Sequence, residues 1–83
     1  MQLEIWYVYI LRSTLGKKLY TGSTNDIARR LNEHNSGKVD STKNRIPLNL
    51  EAYFSVKDKA KAIELEKYLK TGSARAWLNK RIL

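Results

Sequence analysis

Apolar positions repeat along this chain with a period that changes from one segment to the next, and each change marks a new element. Ile5 to Leu11 is rich in aromatic and β-branched residues and reads as a buried strand. Strand alternation puts Trp6, Val8 and Ile10 on one face and Ile5, Tyr7, Tyr9 and Leu11 on the other. Turn residues from Ser13 to Lys17 lead into a short return strand, Lys18 to Gly22, which completes a hairpin. Thr24, Asn25 and Asp26 are N-cap candidates and Ser36-Gly37 is a stop, so the residues between them form a first helix. Its apolar arc holds Ile27, Ala28 and Leu31; Arg30 and His34 lie along one edge of that arc, and Arg29 points away.

From Lys38 to Pro47 there is no apolar period, only a basic and polar loop with Lys38, Lys43 and Arg45. Leu48 to Val56 alternates imperfectly but is aromatic enough for a third strand. Asp58 caps a second helix that runs to about Lys70 and stops at Gly72, and Ser73 caps a short last helix. No repeat, linker or low-complexity tract divides the chain, so residues 1–83 are expected to form one α+β domain in the order ββαβαα.

Composition narrows what such a domain can do. Sixteen Lys and Arg against eight Asp and Glu leave a net charge of +8, which favours a polyanionic partner, nucleic acid first. The absence of cysteine removes disulfides, thiolate zinc sites and cysteine nucleophiles, and a single histidine cannot build a multi-histidine metal site. No apolar run is long enough to span a bilayer, and Met1 to Glu4 lacks a basic leader, so the expectation is a cytoplasmic protein without membrane contact. No protein partner can be deduced.

Glu66 is the sharpest local anomaly. With Ala62, Ile63, Leu65 and Leu69 defining the apolar arc of the second helix, it falls about 20° from the arc's centre, whereas Glu64 points about 160° away. A core-facing carboxylate needs a partner. Three arrangements would supply one: an ion pair with a cation such as Arg30, a helix phase that leaves Glu66 at a wet edge, or a divalent cation bound to its hard oxygens. Gly22, between strand and helix cap, serves either a tight turn or close approach of a phosphate. Taken singly, Tyr9 and Tyr20 read as core tyrosines and His34 as a helix-surface or C-terminal residue.

Together these residues form an ordered set: Tyr9, Tyr20-Thr21-Gly22, Arg30 and His34 four apart, then Glu66. The set resembles the GIY-YIG nuclease family over nearly the whole chain, with Tyr7-Val8-Tyr9 and Tyr20-Thr21-Gly22 standing at the two named motifs. The helix from Asn25 to His34 resembles the one that bears the family's essential arginine, and Glu66 falls where its metal-binding glutamate belongs. The similarity is greatest to small stand-alone bacterial members, in Glu33-His34-Asn35-Ser36-Gly37 and Leu69-Lys70-Thr71-Gly72-Ser73. Tyr7 replaces the usual glycine and Thr21 the usual isoleucine, and Asn79 is a loose match for a polar residue that some members carry after the glutamate.

The resemblance implies a three-stranded antiparallel sheet flanked by helices and a DNA endonuclease that depends on magnesium, with manganese as an alternative, in DNA repair or recombination; with no attached recognition domain, low sequence specificity is expected. It implies Tyr9, Tyr20, Arg30, His34 and Glu66 as catalytic residues and Glu66 as the metal ligand; the glycine before the helix cap, Gly22, and the run of cations in the polar loop, Lys38, Lys43 and Arg45, are the expected substrate contacts. Two rivals fit the same charge: a non-catalytic nucleic-acid-binding domain using the same basic face, and a protein-interaction domain using exposed aromatics such as Trp77.

Overall fold

The computed structural model describes residues 5–83. Its elements are β1 (Trp6–Ser13), β2 (Leu19–Thr24), α1 (Ile27–Asn35), β3 (Leu48–Val56), α2 (Lys59–Leu69) and α3 (Gly72–Arg81). The strands form one antiparallel sheet in the order β2-β1-β3, so the fold is α+β with the element order ββαβαα. Of the N-terminal residues read as strand, Ile5 lies just outside β1, and the hairpin strands run two residues further than Leu11 and Gly22.

Central strand β1 is covered on both faces. Val8 and Ile10 pack with Ala62, Leu69, Ala74 and Leu78 beneath α2 and α3, while Tyr9 and Leu11 pack with Leu48, Tyr20 and Leu31 beneath α1. This is the physical reason for its continuous apolar run. Strand β3 serves both layers by another device. The β1–β3 register jumps between Ile10↔Ala52 and Leu11↔Leu50, which leaves Glu51 as the extra residue of a bulge. Ala52, Phe54 and Val56 therefore follow Ile10, Val8 and Trp6 toward α2 and α3, and Leu50 and Leu48 follow Leu11 toward α1.

Each helix begins on a side-chain cap. Asp26 accepts from Arg29 N at 3.0 Å, Asp58 from Lys61 N at 2.8 Å, and Thr71 from Ala74 N at 3.3 Å. The last helix is thus capped by Thr71, not Ser73, and Gly72 opens it instead of ending α2. Gly37 supplies the stop for α1 at φ 76°, with its N–H on His34 O and that of Lys38 on Glu33 O, both at 3.1 Å. The chain is thereby turned back over α1. Asn35 fixes the loop's far end: its amide donates to Leu48 O at 3.0 Å and accepts from Leu48 N at 2.7 Å. Among the described residues no helix is long and apolar enough to cross a membrane.

Candidate active site

Tyr9 and Gly22 face each other across β1 and β2, and the missing side chain at Gly22 is what admits the tyrosine. A Cβ on Gly22 would stand 2.5 Å from Tyr9 Oη and 2.7 Å from its Cζ. Tyr20, beside Leu11 on the same face, brings its ring to 6.3 Å from that of Tyr9 and 4.9 Å from that of His34. His34 comes down from α1, fully buried, and its Nε2 lies 3.0 Å from Tyr9 Oη. Its other ring nitrogen, Nδ1, lies 2.7 Å from Thr42 Oγ1 in the returning loop.

Arg30, one turn before His34, faces the Tyr9 hydroxyl and anchors itself to Glu33 at 3.0 Å. Glu33 is held below the usual carboxylate range by that guanidinium. Burial is the main influence on the tyrosine: it pushes the Tyr9 hydroxyl up to about 12, with Arg30 opposing and with Tyr20 and Glu66 adding to the rise. Burial also lowers the His34 pKa, with Arg30 reinforcing it, which favours the neutral ring.

Glu66 approaches from the opposite layer. Strand alternation turns Ser23 away from Gly22 and toward α2, and Ser23 Oγ donates to Glu66 Oε1 at 2.8 Å. Lys70 Nζ, one turn along α2, lies 2.8 Å from Oε2. The carboxylate's cation is therefore Lys70, and Arg30 pairs with Glu33 instead. The helix phase also differs from the expectation: Ala62, Leu65 and Leu69 form the inward face, Ile63 is exposed, and Glu66 sits at its wet edge with 23% of its side chain accessible. Among the described residues no group of three or more His, Asp or Glu could enclose a metal. A single carboxylate at an open edge still fits magnesium, which keeps several waters and takes its remaining oxygens from substrate phosphate.

Five residues from four elements thus meet at edge strand β2, with Tyr9, Tyr20, Arg30 and His34 on one layer and Glu66 reaching over from the other. The loop cations are more dispersed. Lys38 is exposed, and Lys43, also exposed, lies 3.7 Å from Asp40. Arg45 turns inward, with Nη2 donating to Ser41 O at 3.2 Å. A groove of about 510 Å³ runs along the other side of α1, between Ile27, Leu31, Leu50 and Tyr53, and includes none of the five.

Three polar contacts at the site escaped sequence reasoning. Thr42 lies in a loop without periodicity, which offers no signal. Ser23 follows the glycine at which the predicted strand ended. Lys70 did carry a signal, the Glu-to-Lys spacing of four on a helix. On α3, Arg75 donates to Thr21 Oγ1 at 2.9 Å and so ties the strand between Tyr20 and Gly22 to the second layer.

Residues 5–81 match the family model of the GIY-YIG catalytic domain. Over 66 residues the chain is 41% identical to a UPF0213 protein of Pectobacterium carotovorum, an alignment covering 78% of this chain and 66% of that one. A UPF0213 protein of Yersinia enterocolitica is 39% identical over 67 residues, covering 80% and 68%. The chain accordingly spans about two thirds of the length of these relatives. Among solved structures, the solution NMR structure of a UPF0213 protein from Bacillus halodurans matches with a TM-score of 0.55 and 34% identity, covering 92% of this chain and 83% of that one.

Proposed function

The chain belongs to the GIY-YIG catalytic-domain family, and from that premise we propose that it is a divalent-metal-dependent endonuclease that hydrolyses DNA phosphodiester bonds. The observation that carries this reading is the meeting of Tyr9, Tyr20, Arg30 and His34 around one buried hydroxyl, with Glu66 brought to the same strand edge from the opposite layer. A core built only for stability has no use for that convergence of titratable groups.

In this mechanism Arg30 donates to the non-bridging oxygens of the scissile phosphate as charge develops there. Water adds to phosphorus, the bond to the leaving oxygen breaks, and the water's proton passes to the Tyr9–His34 pair. Glu66 would hold a magnesium or manganese ion, with Ser23 orienting the carboxylate and the exposed Lys70 ammonium making way for it. When bound, that ion neutralises phosphate charge and stabilises the leaving oxygen. Gly22 makes room for the Tyr9 ring at the site, and the exposed Lys38 and Lys43 extend the cationic surface from α1 along the loop.

The Lys70–Glu66 pair favours a second reading, a binding domain in which the glutamate is already neutralised and no metal is needed. One experiment separates the two: incubation of labelled duplex, branched, single-stranded and damaged DNA with the protein, with and without magnesium. Magnesium-dependent cutting of at least one substrate is expected. Tight binding with no cutting of any of them would leave the binding domain.

A further inference from the structure

The positive charge of this chain is unevenly spread. From Lys57 to Leu83, the stretch that builds α2 and α3, eight Lys and Arg stand against three Asp and Glu, so this stretch holds five of the eight excess charges. Helix α3 alone carries Arg75, Lys80 and Arg81 and no carboxylate. Arg75 bonds to Thr21, whereas Lys80 and Arg81 are exposed and have no carboxylate partner among the described residues. Trp77 lies three and four residues before these two cations, which puts all three on one side of the helix.

Trp77 also borders a hollow of about 280 Å³ between α2, α3 and β3. Leu69 and Ala74 are its buried floor, Phe54 and Leu65 flank it, and Tyr68 and Trp77 stand at its mouth, 57% and 47% exposed. Neither ring is paired with another aromatic ring among the described residues. Size and charge select the occupant. The hollow is at the small end of ligand pockets, which suits one flat ring system and not the row of anchors at successive turns by which an apolar helix docks. A second copy of the chain would bring the cations of the two α3 helices against one another. A nucleobase has apolar faces for the two rings and hangs from a phosphate backbone for the two cations.

We propose that Tyr68 and Trp77 form a stacking site for an unpaired nucleobase, with Lys80 and Arg81 holding the adjoining phosphates, so that α2 and α3 carry a surface for single-stranded nucleic acid separate from the cationic loop. A base inside a duplex is already stacked on both faces, and only an unpaired one can enter. Tyr68 follows Glu66 by two residues on α2, about 200° around the axis, which sets the base site across the helix from the carboxylate. One helix width, about 10–12 Å, separates the two sides, a span that a few nucleotides cover. The consequence for cleavage rests on the nuclease reading: the preferred substrate is DNA with an unpaired stretch beside a duplex.

Fluorescence anisotropy with labelled oligothymidylate, and with an abasic strand of the same length and charge, separates stacking from charge. The wild type should bind the base-bearing strand at least about fivefold more tightly. Trp77→Leu and Tyr68→Leu should each remove most of that preference and leave the affinity for the abasic strand as it was. Equal wild-type affinity for the two strands would overturn the proposal, and this comparison needs no variant, so it decides even if a leucine protein fails to fold. Changing Lys80→Gln and Arg81→Gln together should weaken both strands and reduce the slope of log K against log salt by about 0.7 for each lost single-strand contact; an unmoved slope would remove the two cations from the site. A wild-type dimer in sedimentation equilibrium that Trp77→Leu dissociates, with the strand preference intact, would make the hollow an interface between copies and defeat the assignment. With magnesium, the wild type should cut a duplex bearing a single-stranded flap at a higher kcat/KM than a blunt duplex, and the ratio should fall toward one in Trp77→Leu. Strand preference in a protein that cuts no DNA would uphold the base site and remove the nuclease reading, whereas cutting without strand preference would do the reverse.

Discussion

Arg29 and Arg30 are adjacent in sequence, yet a rotation of about 100° along α1 separates their surroundings. Arg29 bonds to Asn25 at 3.2 Å on the exposed side, and Arg30 faces the Tyr9 hydroxyl. Arg30→Ala should therefore lower kcat on the order of 10²-fold, the usual cost of removing a donor to developing charge, while Arg29→Ala stays near the wild-type rate. Single-turnover cleavage at matched folding checks this, and equal losses would refute the assignment of roles. His34 makes a prediction about stability. Its pKa is lowered in the folded state by burial, so the unfolded chain binds the extra proton. The stabilising contribution is present above pH 6.5 and is lost as pH falls through the lower folded value, with each unit of depression contributing about 1.4 kcal/mol. Urea unfolding at pH 7.5 and at about pH 5.5 should show a loss in the wild type that His34→Gln largely lacks. The window lies above the carboxylate range, which keeps Asp and Glu titration out of the comparison.

Strand β2 gives the site its form, because it is an edge strand whose alternation sends Tyr20 and Gly22 to one layer and Thr21 and Ser23 to the other. Gly22→Ala would place a methyl against Tyr9 Oη and Cζ, which His34 and Tyr20 leave little room to escape. A displacement of about 1 Å can cost about 10²-fold in rate, so we expect at least that loss in kcat with the far-UV circular dichroism spectrum preserved. An alanine variant with wild-type kcat would show that the tyrosine need not sit on the glycine. The elements themselves were legible because each carries a local signal: Asp26 and Asp58 as caps, Gly37 as a stop, and the aromatic runs of β1 and β3. What stayed hidden depends on contacts between elements. The even spacing of Leu48, Leu50, Ala52 and Phe54 suggests one face, and only the bulge at Glu51 divides them between two layers. The phase of α2 was misread because Ile63 looks like a core residue while Ala62, Leu65 and Leu69 already fill the available face. Thr42 meets His34 only because Gly37 turns the loop back over α1.

At the scale of the whole molecule, the proposed nuclease would divide substrate attraction and chemistry between different charges. The net charge of +8 acts over a Debye length of about 8–10 Å and draws any nucleic acid without reading its sequence, whereas Glu66 is one mostly buried carboxylate whose bonds are to Ser23 and an exposed lysine. Glu66→Gln retains an oxygen for the Ser23 hydroxyl and gives up only a surface ion pair with Lys70, so stability should change by no more than about 1 kcal/mol. Its amide is a far poorer magnesium ligand, and cleavage should vanish. DNA affinity should persist with an unchanged dependence on salt. Neutralising Lys38 and Lys43, whose ammonium groups lie on the exposed face of the loop, should act in the opposite way, reducing the slope of log K against log salt by about 0.9 for each lost duplex phosphate contact. Arg45, turned inward onto Ser41, should add little to that change. Salt titrations of binding and magnesium titrations of cleavage on these variants test the separation together. A Glu66→Gln protein that cuts at the wild-type rate in saturating magnesium would remove the glutamate from the chemistry, and a salt slope unmoved by the two lysine changes would remove the loop from the binding face.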